Sequence, residues 1–161
     1  MTTETPQELI VRKACLKDVN EIFRIVNYYA ESQLMLPKTH LQIYENIRDY
    51  SVVADASVPD KILACGALHI YWEDLAEIRA IAVTEGMSRR GIGTILAERL
   101  LEEAVALEID EVFCFTYVPG FFNRLGFIQV EHSALPLKVY NECFNCSKFN
   151  KCDEIAMVIH L

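Results

Sequence analysis

The sequence predicts an α+β fold of three layers: a mixed, mostly antiparallel seven-stranded sheet with one central parallel strand pair, flanked by about four helices. Three observations lead there. The apolar period switches between two and about 3.6 residues along the chain. Three short apolar runs follow one another between residues 50 and 83, as in an antiparallel meander. A long helical stripe then separates two strands, and strands joined by such a crossover run parallel.

Residues 9–14 are largely apolar and short enough for a strand, and Asp18 stands as a helix cap before Ile22, Ile25, Val26 and Tyr29 at helical spacing. Pro37 breaks that pattern, and Thr39 caps a second helix carrying Leu41, Tyr44 and Ile47. Residues 50–55, 62–71 and 75–83 are strands, parted by Val58-Pro59-Asp60-Lys61 and Trp72-Glu73-Asp74. Ile92, Leu96, Leu100, Ala104 and Leu107 form one stripe, with Glu98, Arg99, Glu102 and Glu103 mostly facing away. Residues 112–116 are a strand, Pro119 opens a short helix through Leu125, and 127–130 and 155–160 are the last two strands.

At 161 residues, 52% hydrophobic and 24% charged, the chain fits one ordinary domain, residues 1–161. Its longest uncharged apolar run, residues 62–68, is far short of the roughly 20 residues of a helical bilayer crossing. The polar start lacks the order of a secretory signal, so a cytoplasmic location without membrane attachment is expected. A net charge of -8 repels polyanions, which argues against a nucleic-acid partner. An anionic ligand needs a local basic site.

Six cysteines without an export signal are reduced thiols or metal ligands rather than disulfides. Cys15, Cys65 and Cys114 lie in or beside apolar stretches, as small core hydrophobes do. Cys143, Cys146 and Cys152 cluster as C-x-x-C plus a third thiol. A closed zinc site needs four ligands, so Asp153 or His132 would have to complete it, and reduced loop thiols are the default. His40, His69 and His160 have no ligand spacing.

Ile81-Ala82-Val83 ends a strand, and Arg89-Arg90-Gly91-Ile92-Gly93-Thr94 opens the long helix, where main-chain amides and the helix dipole suit a phosphate. Gly91 and Gly93 leave the approach open, and Arg89 and Arg90 add positive charge. A dinucleotide fingerprint would want a third glycine where Leu96 stands, and a P-loop a lysine where Gly93 stands, so neither applies. Taken alone, the two glycines equally suit a simple turn before a helix.

Three blocks change this balance: Glu77-Ile78-Arg79-Ala80-Ile81-Ala82-Val83, Ser88-Arg89-Arg90-Gly91-Ile92-Gly93 and Phe121-Phe122-Asn123-Arg124-Leu125-Gly126-Phe127. In order and spacing the chain resembles the GNAT superfamily of acetyl-CoA-dependent N-acetyltransferases over nearly its whole length. Leu75-Ala76-Glu77-Ile78, Cys114-Phe115-Thr116-Tyr117-Val118-Pro119 and Leu135-Pro136-Leu137-Lys138-Val139-Tyr140 are similar to the short, single-domain branch of the N-acetylglutamate synthase family, which opens arginine biosynthesis.

The resemblance implies acetyl-CoA as cosubstrate and a small-molecule amine as acceptor, with direct attack in a ternary complex. It places the pantetheine arm on the backbone of Ile81, Ala82 and Val83, where an amide holds the thioester oxygen. It places the diphosphate on Ser88, Arg89, Arg90, Gly91, Ile92, Gly93 and Thr94. Two departures stand out: Ser88 replaces the usual Gln or Arg, and Phe122 occupies the position of a tyrosine that protonates the leaving thiolate in many members.

Glu77, Arg79 and Ile81 share a strand face by the two-residue period. Glu77 is the candidate base for the α-ammonium, the alternative being an ion pair with Arg79 or a neighbouring strand. Tyr117 is the candidate proton donor to sulfur, the alternative being a buried aromatic. If glutamate is the acceptor, its carboxylates need cations, and Lys38, Arg79 and Lys138 are the candidates, although each alone also suits a solvated surface position. Acetylation of another small amine or a peptide N-terminus is the runner-up. Phe122 and the cysteine loop also fit a catalytically silent CoA-binding or thiol sensor. A homodimer is left open.

Overall fold

The alternating apolar runs between residues 50 and 83 become the centre of a sheet in the computed structural model, which describes residues 7–87, 91–136, 139 and 153–161. The elements in chain order are β1 (Leu9–Lys13), α1 (Val19–Glu31), α2 (His40–Glu45), β2 (Tyr50–Asp55), β3 (Val58–Trp72), β4 (Leu75–Val83), α3 (Ile92–Ala106), β5 (Glu111–Thr116), α4 (Pro119–Arg124), β6 (Ile128–Val130) and β7 (Ile155–His160). The seven strands run in the order β1-β2-β3-β4-β5-β7-β6. Pairing is antiparallel for β1 with β2, β2 with β3, β5 with β7 and β6 with β7. It is parallel for β4 with β5, the two strands that the α3 crossover joins. The mixed sheet and its parallel pair are therefore as the sequence implied. No helix of the described residues is long and apolar enough to cross a membrane.

The chain groups into two compact units: Met1–Ala67 with Ala80–Leu100, and Leu68–Arg79 with Leu101–Leu161. In the first, Val19, Ile22, Ile25 and Val26 of α1 and Ile43 of α2 pack on Val52, Ala54, Ile62, Cys65 and Ala82. Val53, Leu63 and Ala64 pack instead with Ile92 and Leu96 of α3. Strand β2 is thus buried on both faces, which explains its unbroken apolar run. A Cβ on Gly66 would lie 2.9 Å from Ile81 Cγ1, 3.2 Å from Leu96 and 3.3 Å from Leu100, so the first part of α3 lies on β3 at a distance only glycine allows. The second unit centres on Leu75, Phe113, Leu135, Val139, Ala156 and Val158, with Tyr71, Phe115 and Val130 against them.

Four expectations are corrected. The break at residues 58–61 lies inside β3: Asp55 pairs with Val58 and Ala54 with Ile62, so 59–61 bulge from the ladder. Pro59 is tolerated there because a bulged residue owes the ladder no N–H. The actual turn is tightened by Asp55 Oδ1, which accepts from Ser57 N at 2.9 Å and Ser57 Oγ at 2.6 Å. Leu107 is 50% exposed, because α3 ends at Ala106. There Glu108 turns left-handed (φ 60), and the N–H groups of Ile109 and Glu108 reach the carbonyls of Ala104 and Val105, both at 3.0 Å. Ile109 is buried in its stead. Cys15 is exposed, whereas Cys65 and Cys114 are buried as expected.

Asp18 is the fourth. It immediately precedes α1, but its carboxylate caps no helix amide. The single 3-10 turn Leu16–Asp18 ahead of α1 turns the side chain back on the chain. It accepts from Arg12 Nη1 at 2.7 Å, Arg12 Nη2 at 3.0 Å, Cys15 N at 2.8 Å and Cys15 Sγ at 3.3 Å. Thr39 is the cap foreseen: its Oγ1 accepts from Gln42 N at 3.1 Å while Gln42 Oε1 accepts from Thr39 N at 2.9 Å.

Burial alone would raise the Asp18 pKa, but Arg12 and the Cys15 donors outweigh it and hold the carboxyl below its ordinary 3.8. A pKa depressed by folding contributes stability above the unfolded value and loses it as pH falls through the folded one. Asp18→Asn should therefore cost about 3 kcal/mol at neutral pH in urea denaturation, since it leaves Arg12 facing a neutral group. The gap between variant and parent should narrow steadily below about pH 4.

Candidate active site

Strand β4 begins as a buried strand with a carboxylate in it. Leu75, Ala76, Glu77 and Ile78 are all buried, and Glu77 is 8% exposed. The parallel ladder runs Leu75 to Glu111, Ala76 to Val112 and Glu77 to Phe113, and reaches no further. Burying a carboxylate without a donor would be costly. Here Glu77 Oε2 accepts from the Tyr71 hydroxyl at 3.1 Å. The Tyr71 ring lies edge-on to His69, centroids 5.0 Å apart, and tilted against Phe113 at 5.5 Å.

Ala80 is left-handed, with φ 55, a conformation that costs a non-glycine residue about 1 kcal/mol. Its carbonyl faces the Cys65 thiol at 3.8 Å. The two-residue count that put Glu77, Arg79 and Ile81 on one face does not run through a left-handed residue, so its step from Arg79 to Ile81 is corrected. Past Ala80, the Val83 carbonyl accepts from the Tyr29 hydroxyl of α1. Thr84 N donates to Leu63 O at 2.7 Å, and Met87 N to Thr84 O at 3.0 Å. Gly86 supplies the positive φ, 80, of that turn.

Helix α3 starts after Gly91, itself at φ 75. Ile95 N donates to Gly91 O at 3.1 Å, so the amides of Gly91, Ile92, Gly93 and Thr94 precede the first bond of the helix and have no intrahelical carbonyl to reach. A Cβ built on Gly91 would meet nothing within 4 Å, and the first turn of this 15-residue helix holds no acidic side chain. Aligned amides, an open approach and the positive end of the dipole fit a diphosphate such as that of CoA.

The remaining candidates are more dispersed. Lys38 follows α1, with its backbone clasped by Asn27: Nδ2 donates to Lys38 O at 2.9 Å and Oδ1 accepts from Lys38 N at 3.2 Å. Arg79 is half-buried on β4. Tyr117 is half-buried past the end of β5, and its hydroxyl donates to Asp153 Oδ1 at 2.6 Å. Phe122 is buried edge-on to Phe121 and Phe127. Ser88, Arg89, Arg90, Lys138, Cys143, Cys146 and Cys152 lie outside the described residues. Of the residues that would complete a zinc site, Asp153 holds Tyr117, and His132 Nε2 lies 2.7 Å from Glu154 O. Among the described residues no three potential ligands come together around a metal position. Tyr71, Tyr29 and the bend at Ala80 carry no sequence signal of their roles, since an aromatic in a strand or a helix stripe is ordinarily core, and an alanine gives no sign of positive φ.

Burial pushes the Cys65 thiol up to about 12. Burial first, then the negative charges of Glu77 and Glu154, raise Cys114 still further. Both thiols stay protonated at neutral pH, so neither is a nucleophile that could carry an acyl group.

The acetyltransferase (GNAT) family model matches residues 16–127. The chain belongs to the GNAT family. GNAT enzymes draw on acetyl-CoA, and this chain is an acetyl-CoA-dependent N-acetyltransferase. Among its relatives, an uncharacterized N-acetyltransferase of Chlorobaculum tepidum is 41% identical over 150 residues, 92% of this chain and 94% of the other. An amino-acid acetyltransferase of Mycobacterium tuberculosis is 36% identical over 142 residues, 87% of this chain and 81% of the other. Of solved GNAT-like structures, a Mycobacterium tuberculosis protein in complex with CoA and a second ligand superposes with a TM-score of 0.82 at 32% identity, covering 94% of this chain and 99% of that one. The N-acetylglutamate synthase of Neisseria gonorrhoeae, complexed with CoA and N-acetyl-glutamate, gives 0.85 at 19% identity over 98% of this chain and 36% of that one, a likeness of fold.

Iodoacetamide at pH 8 should leave Cys65 and Cys114 unmodified in the native enzyme and alkylate both in denaturant. Peptide mass spectrometry reads the outcome, and native-state labelling of Cys114 would contradict its assignment as a buried, protonated thiol.

Proposed function

We propose that the enzyme acetylates the α-amine of an amino acid, with L-glutamate as acceptor, as the first step of arginine biosynthesis. The observation that carries this reading is the near full-length 36% identity to an amino-acid acetyltransferase. The fold-level likeness to an N-acetylglutamate synthase holding N-acetyl-glutamate supports glutamate within that class.

Acetyl-CoA, when bound, supplies the acetyl group as a thioester. Its diphosphate suits the amides of Gly91, Ile92, Gly93 and Thr94, with Ser88, Arg89 and Arg90 contributing from the preceding loop. The backbone of Ile81, Ala82 and Val83 takes the pantetheine arm, less the Val83 carbonyl, which Tyr29 already occupies. Glu77 is the base. An α-ammonium must shed a proton before its nitrogen can attack, and a buried carboxylate on β4 takes it directly or through a water. Tyr117 is the proton donor to the departing sulfur, and it must release Asp153 Oδ1 to act. Lys38, Arg79 and Lys138 pair with the acceptor's carboxylates, because an anionic substrate meets a chain of net charge -8 that otherwise repels it.

Thiol release from acetyl-CoA, measured against a panel of amines, should depend on glutamate, and turnover on another amine but not on glutamate would reassign the acceptor. In the same assay Glu77→Gln should lower kcat roughly 100-fold, the usual contribution of a positioned base. Gly91→Val should weaken CoA binding at least about tenfold by calorimetry, because its side chain projects where the diphosphate must approach. Its stability cost should be only about 1–2 kcal/mol, for a left-handed position with open space around it.

A further inference from the structure

We infer that Tyr71 is a positioning residue for Glu77, setting both the direction of its carboxylate and the pH at which it ionises. The inference rests on the reading of Glu77 as the base and goes beyond it in asking what prepares that base. Glu77 lies buried in the second unit, with Leu75 two residues before it and Phe113 opposite it in the ladder. Burial by itself disfavours the charged form of a carboxylate, and a neutral carboxyl is no base. The Tyr71 hydroxyl, 3.1 Å from Oε2, acts the other way, since a donor to the carboxylate favours the ionised form.

Tyr71 is itself held. Its ring packs in the cluster of Leu75, Phe113, Leu135, Val139, Ala156 and Val158. His69 meets it edge-on at an interplanar angle of 85° and Phe113 at 47°. A ring fixed on two sides carries its hydroxyl to one place, and the oxygen that receives it fixes the plane of the carboxylate. Other ionisable groups act on the same spot. The Cys114 thiol of β5 feels the charge of Glu77 but stays protonated. Glu154, ahead of β7, bears with Glu77 on that same thiol. His69 sits behind Tyr71, His132 lies against Phe115 and Glu154 O, and Arg79 is two residues along β4. Tyr71 acts on the carboxylate by direct donation to one of its oxygens.

A purely structural tyrosine would lower stability on removal and leave the pH dependence of turnover where it was. Tyr71→Phe separates the two. With acetyl-CoA and acceptor saturating, the acidic limb of kcat should move up by about one pH unit, because the carboxylate loses a donor to its charged form. The rate deficit should therefore approach about tenfold at the foot of that limb and vanish on the plateau, with KM for acetyl-CoA changed less than about twofold. Should Tyr71→Phe fold poorly, 3-fluorotyrosine placed at position 71 keeps the ring and strengthens the donor, and the limb should move down. An unshifted limb in either enzyme overturns the inference. Glu77→Gln, run alongside, tells the two failures apart. Full activity in that variant overturns the base assignment and this inference with it, whereas an inactive Glu77→Gln beside an unshifted Tyr71→Phe overturns the role of Tyr71 alone.

Discussion

The constraint on strand β4 is that its backbone must stay satisfied after its parallel ladder stops. Its ladder with β5 is three residues long, from Leu75 to Glu77, and three residues later Ala80 turns left-handed. Every backbone group past the end of that ladder needs another partner. The far end of the strand is held by other means. Tyr29 takes the Val83 carbonyl, and Leu63 takes the Thr84 amide. The strain at Ala80 is small beside the packing around it, where Ala82 and Cys65 are buried in one cluster and Val83 packs in another.

Two buried carboxylates show how the chain handles charge in apolar surroundings. Asp18 is 2% exposed and receives four donors from Arg12 and Cys15, an arrangement that makes it a permanent anion tying β1 to the start of α1. Glu77 is buried with a tyrosine hydroxyl at bonding distance. A neutral hydroxyl donor steadies a carboxylate less strongly than a guanidinium does.

Most of the architecture was legible in the sequence. The bounds of β2, β4 and β7 follow from runs of apolar residues at 50–55, 75–83 and 155–160, and the parallel pair follows from one long stripe between two strands. What was not legible had a physical cause in each case. Pro59 looked like a breaker, because a proline in a strand is allowed only where the ladder is already interrupted, and the bulge is invisible until β2 is paired. Asp18 looked like a cap, because the same residue type serves a helix start and an arginine clasp, and only the 3-10 turn before α1 distinguishes them. At the site, Gly91 advertised its positive φ by being glycine. Ala80 has the same need and an ordinary side chain, so the bend in β4 left no mark on the sequence.

The strand order also decides how the sheet ends. Its two terminal strands are β1, five residues long and carrying Arg12 and Lys13, and β6, with only three residues. An outside chain seeking to lengthen the sheet would find charge at one margin and barely a turn's width of backbone at the other. Among the described residues, such margins offer little template for runaway stacking of one molecule upon the next.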